Sequence, residues 1–356
     1  MKLIHTADLH INSPLTSAHI PPSRIAERKR ELIDTFRAIV DYAVAQDYGA
    51  VIIAGDLFDS ETTGVRARDA ITAAIGKCPD ITFFYLPGNH EKKAFLPYAE
   101  KLSNLKVFGD DWTYFEFEDI CIAGRATTSC DMFDTLNLSP RKKNIVVLHG
   151  ELRDRSADGG IIGINDAAGR SIDYLALGHY HTYTEKEIDR RGVAVYSGTP
   201  EGRGFDETGE MGIVLLDTAG GGITHIFKPF SKRTLHDIPC DMGDVASQRE
   251  AEDKIENLLF GLPSCDIVRV LLTGGVKPGI PREFPYLVSR MNERFYSFEI
   301  KDECHMAISA EDYINDYSLK GEFIRLVLKD NSLTDVKKER IINAGLAALT
   351  GERPHE

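Results

Sequence analysis

No stretch of this 356-residue chain is apolar for long enough to cross a membrane. The opening residues, MKLIHTADLH, lack the apolar centre of a secretion signal and read as the first strand of the fold. Six cysteines (Cys78, Cys121, Cys130, Cys240, Cys265 and Cys304) are scattered without a C-x-x-C pair. They read as reduced thiols in a reducing compartment, with the cytoplasm as the default location. Positive charge is also short: 42 Lys and Arg face 55 Asp and Glu, a formal net charge of −13. That sign argues against a general nucleic-acid binder, whose footprint is usually basic. There is no internal repeat and no low-complexity stretch. What is present is ordinary for a soluble globular protein, 42% hydrophobic and 27% charged. The length allows a large core and more than one domain.

The apolar pattern alternates between strand and helix at first. Lys2–Ala7 reads as a strand. Pro21-Pro22-Ser23 offers a helix start with Ser23 as N-cap, followed by Leu32, Phe36, Ile39, Val40 and Ala43 at helical spacing. AVIIA at 50–54 and ITFFYL at 81–86 are continuous apolar runs, as in strands buried on both faces, with a helix at Val65–Lys77 between them. This order predicts βαβ units and a largely parallel sheet. From Trp112 the sequence WTYFEFEDICIAG reads as a hairpin. Further strands follow near Asn144–Leu148, Tyr174–Leu177, Val193–Tyr196, Gly212–Leu216 and Ile223–Phe227. Two sheets packed face to face with helices outside suit this order. The pattern restarts after about residue 235: helix, strand, helix, strand, over Val245–Leu259, Asp266–Leu272, Phe284–Asn292 and Tyr296–Ile300. The expected division is 1–234, then a small α/β domain over 235–334, then a helical tail over 335–356. The tail places Val336, Ile341, Ile342, Leu346 and Leu349 on one face, which packs on its own domain or docks a partner.

Five short motifs stand at one kind of position, the loop after an apolar strand. They are Asp8-Leu9-His10, Gly55-Asp56-Leu57-Phe58-Asp59, Gly88-Asn89-His90-Glu91, His149-Gly150 and Gly178-His179-Tyr180-His181. Ligands bind outside the carboxyl ends of strands in open sheets, so the five loops are expected on one face. Carboxylate oxygen with imidazole nitrogen suits Mn²⁺, Fe²⁺ or Zn²⁺. No thiolate is among them, which argues against a structural zinc site. The set is too large for one ion and about enough for two. Two ions ~3.5–4 Å apart clamp the attacking and leaving oxygens of a phosphoryl displacement. That proximity calls for a bridging carboxylate, and Asp56 is the natural choice. Taken singly, each motif is equally a strand end with a core histidine; the shared grammar of the five favours a metal centre.

In this order, D-x-H, G-D-x-x-D, G-N-H-E, H-G and G-H-x-H resemble the calcineurin-like metallophosphoesterase superfamily over about residues 1–230. The family fold is a β-sandwich flanked by helices. The start MKLIHTADLHINSPL, the extended G-D-L-F-D-S and the stretch Tyr196–Gly212 are similar to the DNA repair exonuclease branch, which includes the SbcCD-complex nuclease subunit and YhaO-type proteins. The small C-terminal domain then corresponds to that branch's capping domain. The resemblance implies that Asp8, His10 and His181 hold one divalent ion, with Asp56 bridging, and that Asn89, His149 and His179 complete a second. Mn²⁺ is the expected metal, with Fe²⁺, Zn²⁺ or Mg²⁺ as alternatives. His90 is implied as the acid that protonates the leaving oxygen. Asp59 and Glu91 are expected to hydrogen-bond ligand histidines from outside. Arg203 in P-E-G-R-G and Lys92 beside the G-N-H-E loop are candidates for substrate phosphate, although loop cations are mostly solvated. The clusters Arg24-Arg28-Lys29-Arg30, Arg141-Lys142-Lys143 and Arg190-Arg191 read as solvated faces.

The implied activity is a metal-dependent DNA nuclease, exonucleolytic and perhaps endonucleolytic, in repair or recombination. The resemblance also implies an SMC-like ATPase partner and a homodimer, with no membrane association. The net charge favours a second reading, a small-molecule phosphodiesterase or phosphatase with the same chemistry. A third, a scaffold that has lost the chemistry, is opposed by the complete ligand set.

Overall fold

The computed structural model describes residues 1–15, 20–60, 64–88, 95–276, 282–306 and 316–350. The chain divides into two compact units, Met1–Leu235 and His236–Glu356. The first begins with β1 (Lys2–Thr6), α1 (Pro22–Ala45), β2 (Ala50–Ala54), α2 (Val65–Gly76), β3 (Thr82–Leu86), α3 (Leu96–Ala99) and β4 (Leu105–Val107). There follow β5 (Thr113–Glu116), β6 (Ile120–Gly124), β7 (Lys143–His149), β8 (Glu151–Arg153), β9 (Ile161–Gly163) and α4 (Ile164–Ala167). The unit closes with β10 (Tyr174–Gly178), β11 (Thr184–Glu187), β12 (Val193–Tyr196), β13 (Gly212–Asp217) and β14 (Thr224–Pro229).

These strands form two six-stranded sheets, β14-β13-β1-β2-β3-β4 and β11-β12-β10-β7-β6-β5. β1 through β4 run parallel, as do β6, β7, β10 and β12. The strand period of two sends alternate side chains to opposite faces. Ile52 and Phe84 meet Ile145, Val147 and Ala176 between the sheets. Val51, Ile53 and Phe83 pack outward against Phe36, Ile39, Ile71 and Ile75 of α1 and α2. The outer face of the second sheet is covered differently. Val146, Leu148 and Leu175 lie under a 3-10 turn at Met132–Asp134, α4 and neighbouring loops. The fold is therefore an α/β sandwich with long helices on one flank and short elements on the other.

Three local expectations need correction. Helix α1 begins at Pro22 with Pro21 as N-cap, so Ser23 lies inside the first turn. Proline suits that place because its fixed φ is helical and its missing N–H is not needed there. Strands β4 and β11 were not anticipated: one is three residues long, and the other, Thr-Glu-Lys-Glu, is exposed throughout. Arg28 is fully buried, not solvated. Its Nη1 donates to Glu31 at 2.9 Å and to Glu201 at 2.7 Å. Glu31 in turn receives Arg233 Nη2 at 2.6 Å, and Glu201 receives Thr35 Oγ1 at 3.1 Å. This ionic cluster ties the inward face of α1 to the loop after β12.

The second unit contains β15 (Leu235–Asp241), α5 (Gln248–Leu258), β16 (Ile267–Thr273), β17 (Gly275–Val276), α6 (Pro285–Arg294), β18 (Ser297–Asp302) and β19 (His305–Met306). Two helices follow, α7 (Leu319–Lys329) and α8 (Asp335–Thr350). Its sheet runs β15-β16-β18, and Val268, Val270 and Leu272 pack with Ile255 and Leu287. Ser247 caps α5 by accepting from Glu250 N at 3.2 Å. The expected tail helix pairs with α7 around Ile324 and Ile342. All six cysteines are free. Among the described residues, no helix is long and apolar enough to cross a membrane.

Candidate metal centre

The carboxyl ends of β1, β2, β7 and β10 meet at one edge of the sandwich, joined by bonds between their loops. Asp8 N donates to Gly55 O, and His10 N to Asp56 O, at 3.1 and 2.9 Å. His179 N reaches across to both oxygens of Asp8, at 3.0 and 2.9 Å. His149 Nδ1 lies 2.9 Å from Ala54 O. The backbone carbonyl therefore accepts a hydrogen bond from Nδ1–H, which makes Nε2 the lone pair of the neutral ring.

These links gather two groups of ligand atoms, each within 4.8 Å: Asp8 with His10 and His181, and Asp8 with Asp56 and His149. Asp56 Oδ2 stands between two imidazole nitrogens, 3.2 Å from His149 Nε2 and 3.8 Å from His10 Nε2. The rings fall into two pairs, His10 with His181 at 5.1 Å and His149 with His179 at 5.6 Å between centroids. Asp8, Asp56, His10 and His149 are buried, while His179 and His181 border solvent. Asn89, His90, Glu91 and Lys92 lie outside the described residues.

The backbone here is strained where the ligands are. Asp8, His10, Asp56 and His179 have φ of 53°, 42°, 48° and 110°. Left-handed backbone is uncommon outside glycine, and sparsely populated conformations of this kind cost on the order of 1–3 kcal/mol each. Such strain persists where surrounding structure enforces it, and it clusters at functional sites. Two glycines make the packing feasible. A Cβ on Gly55, itself at φ 95°, would stand 2.1 Å from His149 Nδ1, and one on Gly88 would stand 2.1 Å from Asp56 Oδ1.

Electrostatics favour a cation. Burial drives the Asp8 carboxyl up to about 6, against the opposing pull of His149 and His181. Burial works against the His149 imidazolium, yet its contact with Asp56 and the charge of Asp8 raise it to about 9. Both shifts have one origin: carboxylates crowded in a dry place draw in positive charge. Divalent ions supply it. No hydrogen bond of good geometry satisfies the buried His149 Nε2, as expected of a ligand atom. The donor set of carboxylate and imidazole without thiolate fits two borderline or hard divalent ions.

The outer layer holds a residue that sequence reasoning missed. Glu207 is buried, and its Oε1 lies 2.7 Å from His181 Nδ1. The carboxylate accepts a hydrogen bond from Nδ1–H and orients Nε2 toward the cluster. Burial opposes the ionised Glu207, but His181 and Arg203 hold it down to about 2. Its only sequence signal is its place in the Tyr196–Gly212 stretch. Arg203, expected at substrate phosphate, lies behind His181. Its Nε is 3.2 Å from Glu207, its Nη2 3.1 Å from His181 Nδ1 and its Nη1 3.6 Å from Asp59. Asp59 Oδ1 lies 3.4 Å from His10 Nδ1 and backs that ring as Glu207 backs His181.

A family model for calcineurin-like phosphoesterases matches residues 1–211. The chain is similar to an uncharacterized metallophosphoesterase, YhaO, of Bacillus subtilis (strain 168), 25% identical over 297 residues, covering 77% of this chain and 72% of that one. It is similar to the DNA double-strand break repair protein Mre11 of Sulfurisphaera tokodaii, 24% identical over 240 residues, covering 62% and 60%. The protein of the same name from Methanosarcina acetivorans is 23% identical over 256 residues, covering 66% and 39%. The chain thus spans less than two thirds of the length of these two Mre11 relatives.

Proposed function

The chain belongs to the calcineurin-like phosphoesterase family, and from that premise we propose that it is a metal-dependent DNA nuclease of the exonuclease kind. The observation that supports this reading is the pair of ligand groups sharing Asp8, with Asp56 Oδ2 between His10 and His149. Asp8, His10 and His181 would hold one ion, His149, His179 and Asn89 would hold the other, and Asp56 would serve both. Divalent ions held there would supply Lewis acidity and a more acidic water nucleophile. Glu207 and Asp59 keep His181 and His10 in one tautomer and one orientation. His90 gives a proton to the leaving oxygen, and its loss costs ~10²–10⁴ in rate. Similarity to DNA double-strand break repair proteins favours DNA over other diesters. The motif resemblance to the repair exonuclease branch carries the further proposals of an SMC-like ATPase partner, a homodimer and Mn²⁺ as the working ion. One observation favours a small-molecule phosphodiester instead: the net charge of −13.

The test uses the full chain with Mn²⁺, Mg²⁺ or EDTA on end-labelled duplex and single-stranded DNA, beside bis-p-nitrophenyl phosphate. Mn²⁺-dependent DNA cleavage that is lost in His90→Ala, with metal content unchanged, is the expected result. Turnover of the ester with DNA intact moves the substrate to small diesters. Metal binding without turnover of either returns the scaffold reading.

A further inference from the structure

Tyr180 sits between His179 and His181, so its place is fixed by both rings of the metal-facing loop. It is the odd member of that loop, 43% exposed and aromatic. Its ring stands at 71° to Tyr196, with centroids 4.8 Å apart. Tyr196 is anchored beneath it: its hydroxyl donates to Gly150 O at 2.7 Å and accepts from Leu152 N at 2.8 Å. The Tyr180 hydroxyl reaches Glu151 at 3.2 Å. An exposed aromatic is thus held on a rigid base beside two ligand histidines.

The same ring borders a hollow of about 350 Å³ whose wall also includes His181, Leu152, Thr182, Ala194 and Tyr196. Its far side is the sheet edge. In β11, Thr184 pairs with Tyr196 and Lys186 with Ala194, so these four side chains share one face. The carboxylates nearby are engaged: Glu185 with His225 at 2.8 Å and Tyr183 at 2.9 Å, Glu151 with Arg153 at 2.8 Å. The hollow therefore offers an aromatic ring, apolar side chains, threonine hydroxyls, one exposed ammonium and the engaged carboxylate of Glu185. A flat heteroaromatic with polar edges, attached to a phosphate, matches that lining.

We propose that this hollow is the subsite for the nucleobase next to the scissile phosphodiester, with Tyr180 as its stacking platform. This rests on the nuclease reading, since His181 is both a wall of the hollow and a candidate ligand. Tyr180 is a positioning residue that acts on substrate selection, not on the bond broken.

Two esters separate the claims: thymidine 5′-(p-nitrophenyl phosphate), which carries a base, and methyl p-nitrophenyl phosphate, which does not. In Tyr180→Ala the ratio of kcat/KM for the first over the second is expected to fall about tenfold, the range of one lost base–aromatic stack. Tyr180→Phe keeps the ring and is expected to keep the ratio. Metal content is measured in each variant, and a direct readout accompanies it. A 2-aminopurine deoxynucleoside 5′-monophosphate, whose fluorescence falls on stacking, is expected to be quenched by the wild type and Tyr180→Phe but not by Tyr180→Ala. Equal ratios and equal quenching in all three proteins, at equal metal content, overturn the subsite and leave the hydrolytic reading standing. A metal-loaded wild type that turns over neither ester overturns the hydrolytic reading before any variant is made.

Discussion

Two clusters of buried charge lie in the first unit, and they are built in opposite ways. In the α1 cluster each carboxylate faces a cation: Glu31 meets Arg28, Arg233 and Lys232, and Glu201 meets Arg28. Its helix is regular, with both guanidinium groups drawn in from elements far apart in sequence. In the metal-facing cluster, Asp8 and Asp56 face imidazoles: Asp8 groups with His10 and His181, and again with Asp56 and His149. Four of its residues have left-handed backbone. The first is a matched cluster, closed by guanidinium and ammonium groups, whereas the second collects carboxylate and imidazole atoms of the kind that hold divalent ions. One loop joins them. Glu201 faces the α1 cluster, and Arg203 and Glu207 face His181. The matched cluster thus anchors the segment that orients a candidate ligand of the metal-facing one.

The sharpest break of that comparison is a substitution expected to abolish function without cost to the metal-free fold. Asp56→Asn removes the carboxylate proposed to bridge the two ions. Turnover is expected to fall by about three orders of magnitude, the worth of several kcal/mol of metal-assisted charge stabilisation. Elemental analysis should show both ions depleted. Above about pH 9, where His149 is neutral and no Asp56–His149 ion pair is lost, thermal unfolding of the metal-free variant should occur no lower than that of the wild type, because a crowded carboxylate has been neutralised. A large fall in metal-free Tm would show that Asp56 is a structural charge after all.

Arg28→Ala is the converse. It strands Glu31 and Glu201 without a shared partner, and breaking a buried pair this way costs about 3–5 kcal/mol. Urea unfolding of the metal-free protein reads that loss directly. Metal affinity per folded molecule should change far less, and a proportionate loss there would erase the distinction. Glu207→Gln lies between the two. It keeps shape and burial but weakens the hold on His181 Nδ1, so metal affinity should drop about 10–100-fold. Competition against a chelator measures it, and an unchanged affinity would remove Glu207 from the centre.

These contrasts explain which parts of the molecule could be read from the chain. The loops at Asp8, Asp56, His149 and His179 are legible because ligand chemistry demands particular side chains immediately after buried strands. The sandwich is legible for the same reason, since AVIIA and TFFYL have no soluble alternative to a two-sided core. Glu207 is not, because an outer carboxylate is selected by the path a loop takes in space, and no spacing rule links it to His181. Arg28 is hidden among Arg24, Lys29 and Arg30, since helical spacing does not tell a charge facing water from one facing Glu201, 173 residues later. Strand β11 is hidden because an exposed edge has no apolar alternation to display.

The smallest effect expected is also the finest test of how the matched cluster works. Burial opposes the ionised Glu31, yet Arg233, Lys232 and Arg28 hold its carboxyl down to about 2. In the unfolded chain it titrates near the ordinary value of about 4.3. Its contribution to stability is therefore fully present above about pH 4.3 and is lost as pH falls toward 2. The slope cannot exceed about 1.4 kcal/mol per pH unit for one group. The advantage of the wild type over Glu31→Gln in urea should accordingly be constant from pH 7 to 5 and shrink by about 1 kcal/mol between pH 4.3 and 3.3. An advantage that stays flat down to pH 3.3 would mean that the three cations do not hold the Glu31 carboxyl down.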